Sequence, residues 1–180
     1  RMTGGDWCRS GGGAGTGNAA RPPIKGDPAY GAAMLHAEWK GGANGPAVIE
    51  VTSRFATQDR AADLSGKGSA APLSEADRRL YSGATDLIPV DGLVKSTADK
   101  IVAGAQGDME KARRIYDWIV ENCFRDPSTK GCGDGDVARM LATNNFGGKC
   151  ADLNGLYIGL ALAAGVPARD VYVLRVHPAA

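Results

Sequence analysis

Gly147-Gly148-Lys149-Cys150-Ala151-Asp152-Leu153-Asn154 is the stretch whose reading decides the fold. A Gly-Gly turn delivers a cysteine to the start of a long apolar segment. Leu153, Leu156, Tyr157, Leu160 and Ala164 recur at three and four, which predicts a helix from about Lys149 to Ala164. Ala151, Gly155, Gly159 and Ala163 form a second stripe of small residues that lets another backbone come close. Almost no charge follows Asp152, so this helix is expected to be buried on most sides. Gly165 is the natural C′ residue, and Pro167 bars continuation. A helix start presents free N–H groups and the positive end of the dipole, a setting that favours a thiolate nucleophile.

Working outward, Asp170 to Val176 reads as a buried strand. Upstream, Ser74-Glu75-Ala76-Asp77 opens a short helix, and Asp91 to Ala103 forms a second. Asp108 is expected to cap a third, running to about Cys123 on Ala112, Ile115, Tyr116 and Ile119 and stopped by Asp126-Pro127. Tyr116 and Trp118 read as core residues of that helix. Asp136 is expected to cap a short fourth helix through Leu141. Helices before a central helix and a strand after it predict an α+β fold, its helices to one side of a mostly antiparallel sheet.

The first part of the chain differs. Residues 1–28 are rich in Gly and Pro and lack periodicity, so they read as an irregular N-terminal segment. Gly11 to Asn18 is no phosphate loop, because no strand precedes it and no Gly-Lys-Ser/Thr follows. Ala32–Trp39 and Ala47–Thr57 read as strands around turn chemistry at Gly41 to Pro46. Residues 29–62 are therefore expected as a β-hairpin region, part of an N-terminal β module. Residues 63–72 read as a linker and 73–180 as the core domain.

Composition sets limits. The 180 residues carry a formal net charge of +1, which gives no electrostatic reason for a nucleic-acid partner. No apolar run reaches the length of a membrane span. The four cysteines form no CxxC pair and there are only two histidines, so a zinc site is not expected. Gly131 to Asp136 lacks the further acidic ligands of a calcium loop. Cys123 and Cys132 are close enough in sequence to pair in an exported protein.

Gly148-Lys149-Cys150-Ala151-Asp152, then Leu156, then Ala164-Gly165-Val166-Pro167-Ala168-Arg169 resembles the core of the transglutaminase-like superfamily of papain-like cysteine enzymes. Ala112 to Ile119 is similar to the helix that precedes that core, and Asp86 to Gly92 is similar to bacterial members. The resemblance covers about residues 80–176. It implies that Cys150 is the nucleophile, forming a thioester acyl-enzyme with a carboxamide or peptide carbonyl. A histidine would take the thiol proton and an aspartate orient it, and the Cys150 N–H would serve as an oxyanion donor. In the family that histidine and aspartate lie on strands beyond Val176, so the core reads as truncated before them and this fragment as inactive. His177, the only histidine after Cys150, reads as opening a loop, and His36 as structural. Asp152 and Asn154 read as dipole compensation and local hydrogen bonding, and Arg169 as an anchor for the turn after the helix.

The resemblance thus implies a cysteine hydrolase or peptidase acting on a protein or peptide, with no cofactor. A cross-linking protein-glutamine acyltransferase is the rival enzyme. A catalytically dead peptide- or envelope-binding module is the rival of another class. Periplasmic or secreted placement follows from the resemblance alone.

Overall fold

The computed structural model describes residues 8–17, 24–26, 33–39, 45–57 and 71–171. They fall into two units, Arg1–Ala71 and Pro72–Ala180. In the first, β1 (Cys8–Gly17) pairs antiparallel with β4 (Ile49–Thr57), with a register shift between Ser10 and Gly13. A separate short ladder joins β2 (Ile24–Gly26) to β3 (Ala33–Leu35), also antiparallel.

These pairings correct two expectations. Residues 1–28 are not irregular throughout, since β1 and β2 lie among them. The strands read as one hairpin, around 33–35 and 49–57, have other partners. The physical reason is that a ladder is made by backbone groups, which glycines supply as well as any residue. Side-chain alternation, the signal that sequence reading depends on, is absent from Gly11-Gly12-Gly13. In β4 Val51 is exposed and Ile49 half-buried.

The second unit is built from helices. Ser74 caps α1 (Glu75–Leu80), its Oγ accepting the Asp77 N–H at 3.0 Å. Asp91 stands at the N-cap of α2 (Gly92–Ile101). The next helix, α3 (Gly107–Asn122), begins at Gln106 rather than at Asp108. Glu110 reaches back one turn to accept the Gln106 N–H at 2.7 Å, leaving Asp108 in the first turn. The helix ends at Cys123, where it was expected to, and the chain turns into β5 (Phe124–Arg125) ahead of Asp126-Pro127. Asp136 caps α4 (Val137–Thr143) through Oδ1 and the Arg139 N–H at 2.9 Å, and Asn144 ends it in the left-handed conformation. After β6 (Gly147–Gly148) comes α5 (Cys150–Ala163), closed by Gly165 at φ +81°.

Within the second unit the described strand pairing is parallel, not antiparallel. Phe124 lies opposite Gly147 and Arg125 opposite Gly148. Each of these strands follows a helix and the connection between them carries α4, so the chain returns in the same direction. The strand expected at 170–176 lies almost wholly outside the described residues, as does His177.

α5 is the central element. Leu156, Leu160, Ala161 and Ala163 lie in one core with Val94 and Ala98 of α2, Ile115 of α3, and Val137 and Met140 of α4. Burying a side chain such as Leu156 or Leu160 contributes about 1.5–3 kcal/mol each. The small-residue stripe admits another backbone at Gly155, where an added Cβ would lie 3.5 Å from Gly135 O, and side chains at Gly159. A Cβ on Gly159 would lie 3.0 Å from Val137 Cγ1 and 3.3 Å from Ile88 Cγ2, so both side chains rest against the bare helix backbone. At the far end Lys111 Nζ donates to Ala164 O at 3.0 Å, a cation on the helix C-terminus.

Tyr116 is placed differently from expectation, and Arg169 as expected. Tyr116 is exposed, with the Arg113 guanidinium 5.9 Å from its ring centroid, while Trp118 packs edge-on against Phe146 at 5.3 Å. Arg169 does anchor the turn after α5, but through an aromatic partner. Its guanidinium lies 4.9 Å from the Tyr81 ring centroid, and the neighbouring Ala168 N–H donates to Tyr81 O at 2.9 Å.

The close approach at Gly159 sets a test. Gly159→Leu is expected to destabilise the protein by about 1–3 kcal/mol through overpacking. Equilibrium urea unfolding read by circular dichroism measures it, and an unchanged midpoint would contradict the contact.

Candidate active site

Cys150 is the first residue of α5 and its thiol is free and exposed. Three features of the sequence put it there. Gly147-Gly148 forms β6, held by the Asp126 N–H donating to Gly148 O at 2.9 Å. Lys149 is extended and starts the helix. The segment 129–135 then wraps the helix start: Lys149 Nζ donates to Thr129 O, and the Ala151 N–H donates to Cys132 O at 2.8 Å.

The clasp on this arrangement is Asp152, a buried carboxylate only 6% exposed. Its Oδ1 accepts the N–H groups of Asp134 and Gly135, each at 3.0 Å, and its Oδ2 accepts the Lys149 N–H at 3.0 Å. The last bond is one half of a capping box; Lys149, which has no acceptor, cannot supply the other half. One side chain therefore fixes both the turn before the cysteine and the loop that wraps it. Charge-assisted bonds to backbone N–H groups are the strong kind, and burial makes them costly to lose.

The clasp needs space that only glycine leaves. A Cβ on Gly133, where φ is +93°, would fall 1.8 Å from Asp152 Oδ2. A Cβ on Gly148 would fall 2.5 Å from Asp152 Cβ. Both glycines were visible in the sequence, but nothing local to them points to a carboxylate at the other end of a fold contact. Asp152 itself was read as local compensation, and the structure gives it the larger task of joining two segments. Asn154 fits the local reading, its Nδ2 donating to Cys150 O at 2.7 Å.

Among the described residues the Cys150 N–H has no hydrogen-bond partner, as the first N–H of a helix would. The loop beyond the clasp is set by Arg139, which pairs with Asp134 at 2.7 Å and with Asp136 at 3.6 Å. Asp126 accepts from the Ser128 Oγ at 2.6 Å and the Ser128 N–H at 2.8 Å, and these bonds, with Lys149 nearby, hold its carboxyl below the usual range. Burial pushes the Cys123 thiol up. Cys123, Cys132 and Cys150 are all free.

Not every expected partner is brought together with the cysteine. No histidine lies among the described residues of the second unit. His36, in the first unit, has Nε2 2.6 Å from Glu38 Oε1, the satisfied structural setting expected of it. Among the described residues no group of His, Cys, Asp and Glu could hold a metal ion, and no helix is long and apolar enough to cross a membrane.

Residues 95–180 match the sequence profile of the transglutaminase-like superfamily. An uncharacterized protein of Haemophilus influenzae is 37% identical over 155 residues. That match takes in 83% of this chain and 42% of the relative, so the chain spans less than half of the relative's length. No solved structure matches the chain at a significant level.

Two measurements follow from the geometry. Asp152→Ala leaves three N–H groups without their acceptor and is expected to cost about 2–4 kcal/mol in chemical unfolding. Gly133→Ala should be comparably harmful, and a near-native unfolding midpoint for either would remove the clasp. In NMR titration Asp126 should have a midpoint below an ordinary aspartate, and Ser128→Ala should raise it. Because its folded value is the lower one, the stabilisation from Asp126 exists above the ordinary aspartate range and is lost as pH falls through the folded value.

Proposed function

We propose that Cys150 is the nucleophile of a transglutaminase-like cysteine enzyme that cleaves peptide or carboxamide bonds, with residues 73–180 forming its core. The observation that carries this reading is the free, exposed cysteine on the first residue of a buried helix, inside the segment that matches the superfamily's profile. The thiolate attacks the carbonyl carbon, and the carbonyl oxygen takes up negative charge. The Cys150 N–H is available to donate to that oxygen. Collapse of the tetrahedral species breaks the C–N bond, and the amine leaves with a proton supplied by an imidazole, as the superfamily's chemistry requires. The resulting thioester passes its acyl group to water. An amine in place of water would give an isopeptide link, the transferase alternative.

The clasp supports the nucleophile's position. Asp152 holds Lys149 and the 134–135 backbone, so Cys150 sits on a start that cannot fray. A reacting thiol needs that constancy, since small displacements of a catalytic group are costly.

Iodoacetamide labelling at neutral pH, followed by peptide mapping, tests the nucleophile. Cys150 is expected to react faster than exposed Cys132, and half-buried Cys123 slowest. Ammonia release from a carboxamide peptide by a longer natural chain carrying this core should fall about 10³-fold or more in Cys150→Ala. Added primary amine that is incorporated into the peptide would favour the transferase. Equal labelling of Cys132 and Cys150, with turnover surviving Cys150→Ala, would overturn the proposal.

A further inference from the structure

We propose that Cys132 and Cys150 form a reversible disulfide that caps the thiol at the start of α5. The pairing is argued from their placement. Both thiols are exposed and free. The two residues are joined across one backbone bond, the Ala151 N–H donating to Cys132 O at 2.8 Å. With that bond made, standard covalent geometry caps the separation of the Cys132 and Cys150 Cα atoms at about 7.6 Å when every link is fully extended. The range of about 4.4–6.8 Å that disulfides span lies within that limit. Asp152 holds this approach in place, because it grips residues 134 and 135 just beyond Cys132 and residue 149 just before Cys150. Cys123 offers no such route, since it ends α3 half-buried. Glycines flank Cys132 at φ +60° and +93°, so no neighbouring Cβ crowds it.

The co-reactant is hydrogen peroxide. One thiolate attacks the peroxide oxygen, the O–O bond breaks, and a sulfenic acid forms with release of water. The second thiol attacks the sulfenyl sulfur, the S–S bond forms, and the S–O bond breaks to release a second water. Two thiols lose two protons and two electrons, and the peroxide is reduced to two waters. A dithiol reductant reverses the change. The pairing stands on geometry alone; its consequence, a nucleophile switched off under oxidation, rests on the reading of Cys150 given above.

The experiment uses the whole chain treated with hydrogen peroxide and then mapped without reduction. The expected result is a linked peptide joining Cys132 to Cys150, loss of alkylation at both, and recovery of both with dithiothreitol. In Cys132→Ser the Cys150 sulfenic acid persists and is captured by dimedone, whereas Cys123→Ser leaves the link intact. The wild-type map decides the matter even where a variant does not fold. Cys150 recovered as an unpaired sulfinic acid, or joined to another cysteine while Cys132 stays free, overturns the proposal. A longer chain that is inactive when fully reduced, yet still forms the link, overturns the enzyme reading and leaves the pairing standing.

Discussion

The structure of the second unit depends on one buried carboxylate. Asp152 accepts three backbone N–H groups from two segments far apart in sequence. A buried charge is tolerated only where its acceptor sites are filled. The loop around Cys132 needs an anchor, and the turn that leads into α5 needs an acceptor for the Lys149 N–H. A single side chain meets both needs at the point where the exposed thiol stands.

The rest of α5 explains why that anchor can sit so deep. The helix is buried along most of its length, and its glycines allow α4 and Ile88 to approach its backbone. Its polar ends are both answered, by Asp152 at the start and Lys111 at the finish. An apolar helix held at both ends serves as a rigid mount, and the cysteine stands exposed in its first turn while Asp152 is turned inward.

How much of this was legible varied with the range of the interaction. Caps at Ser74 and Asp136, the span of α5 and its glycine stop at Gly165 could all be read, because each rests on residues within one turn of one another. The small-residue stripe was legible as a close approach, though not what would approach. Non-local partners could not be read. Asp152 looked like dipole compensation because its N–H donors at 134 and 135 come from another part of the chain. Tyr116 fitted an apolar period and still lies outside. The Gly-rich β1 carried no alternation, although its backbone could pair as well as any other. The parallel direction of β5 and β6 depended on strands of two residues, too short for any pattern. Cys150 was singled out by its position at a helix start and by family resemblance.

Gly133, Gly148 and Asp152 are three positions serving one pair of oxygen atoms. A survey that replaces residues singly would score each as indispensable and would suggest three separate duties. For Gly148 the dependence is joint: its absent side chain matters because Asp152 is present, whereas Gly133 is held by its φ of +93° as well. A shorter partner at 152 would free Gly148 to vary and leave Gly133 still answering to its own backbone.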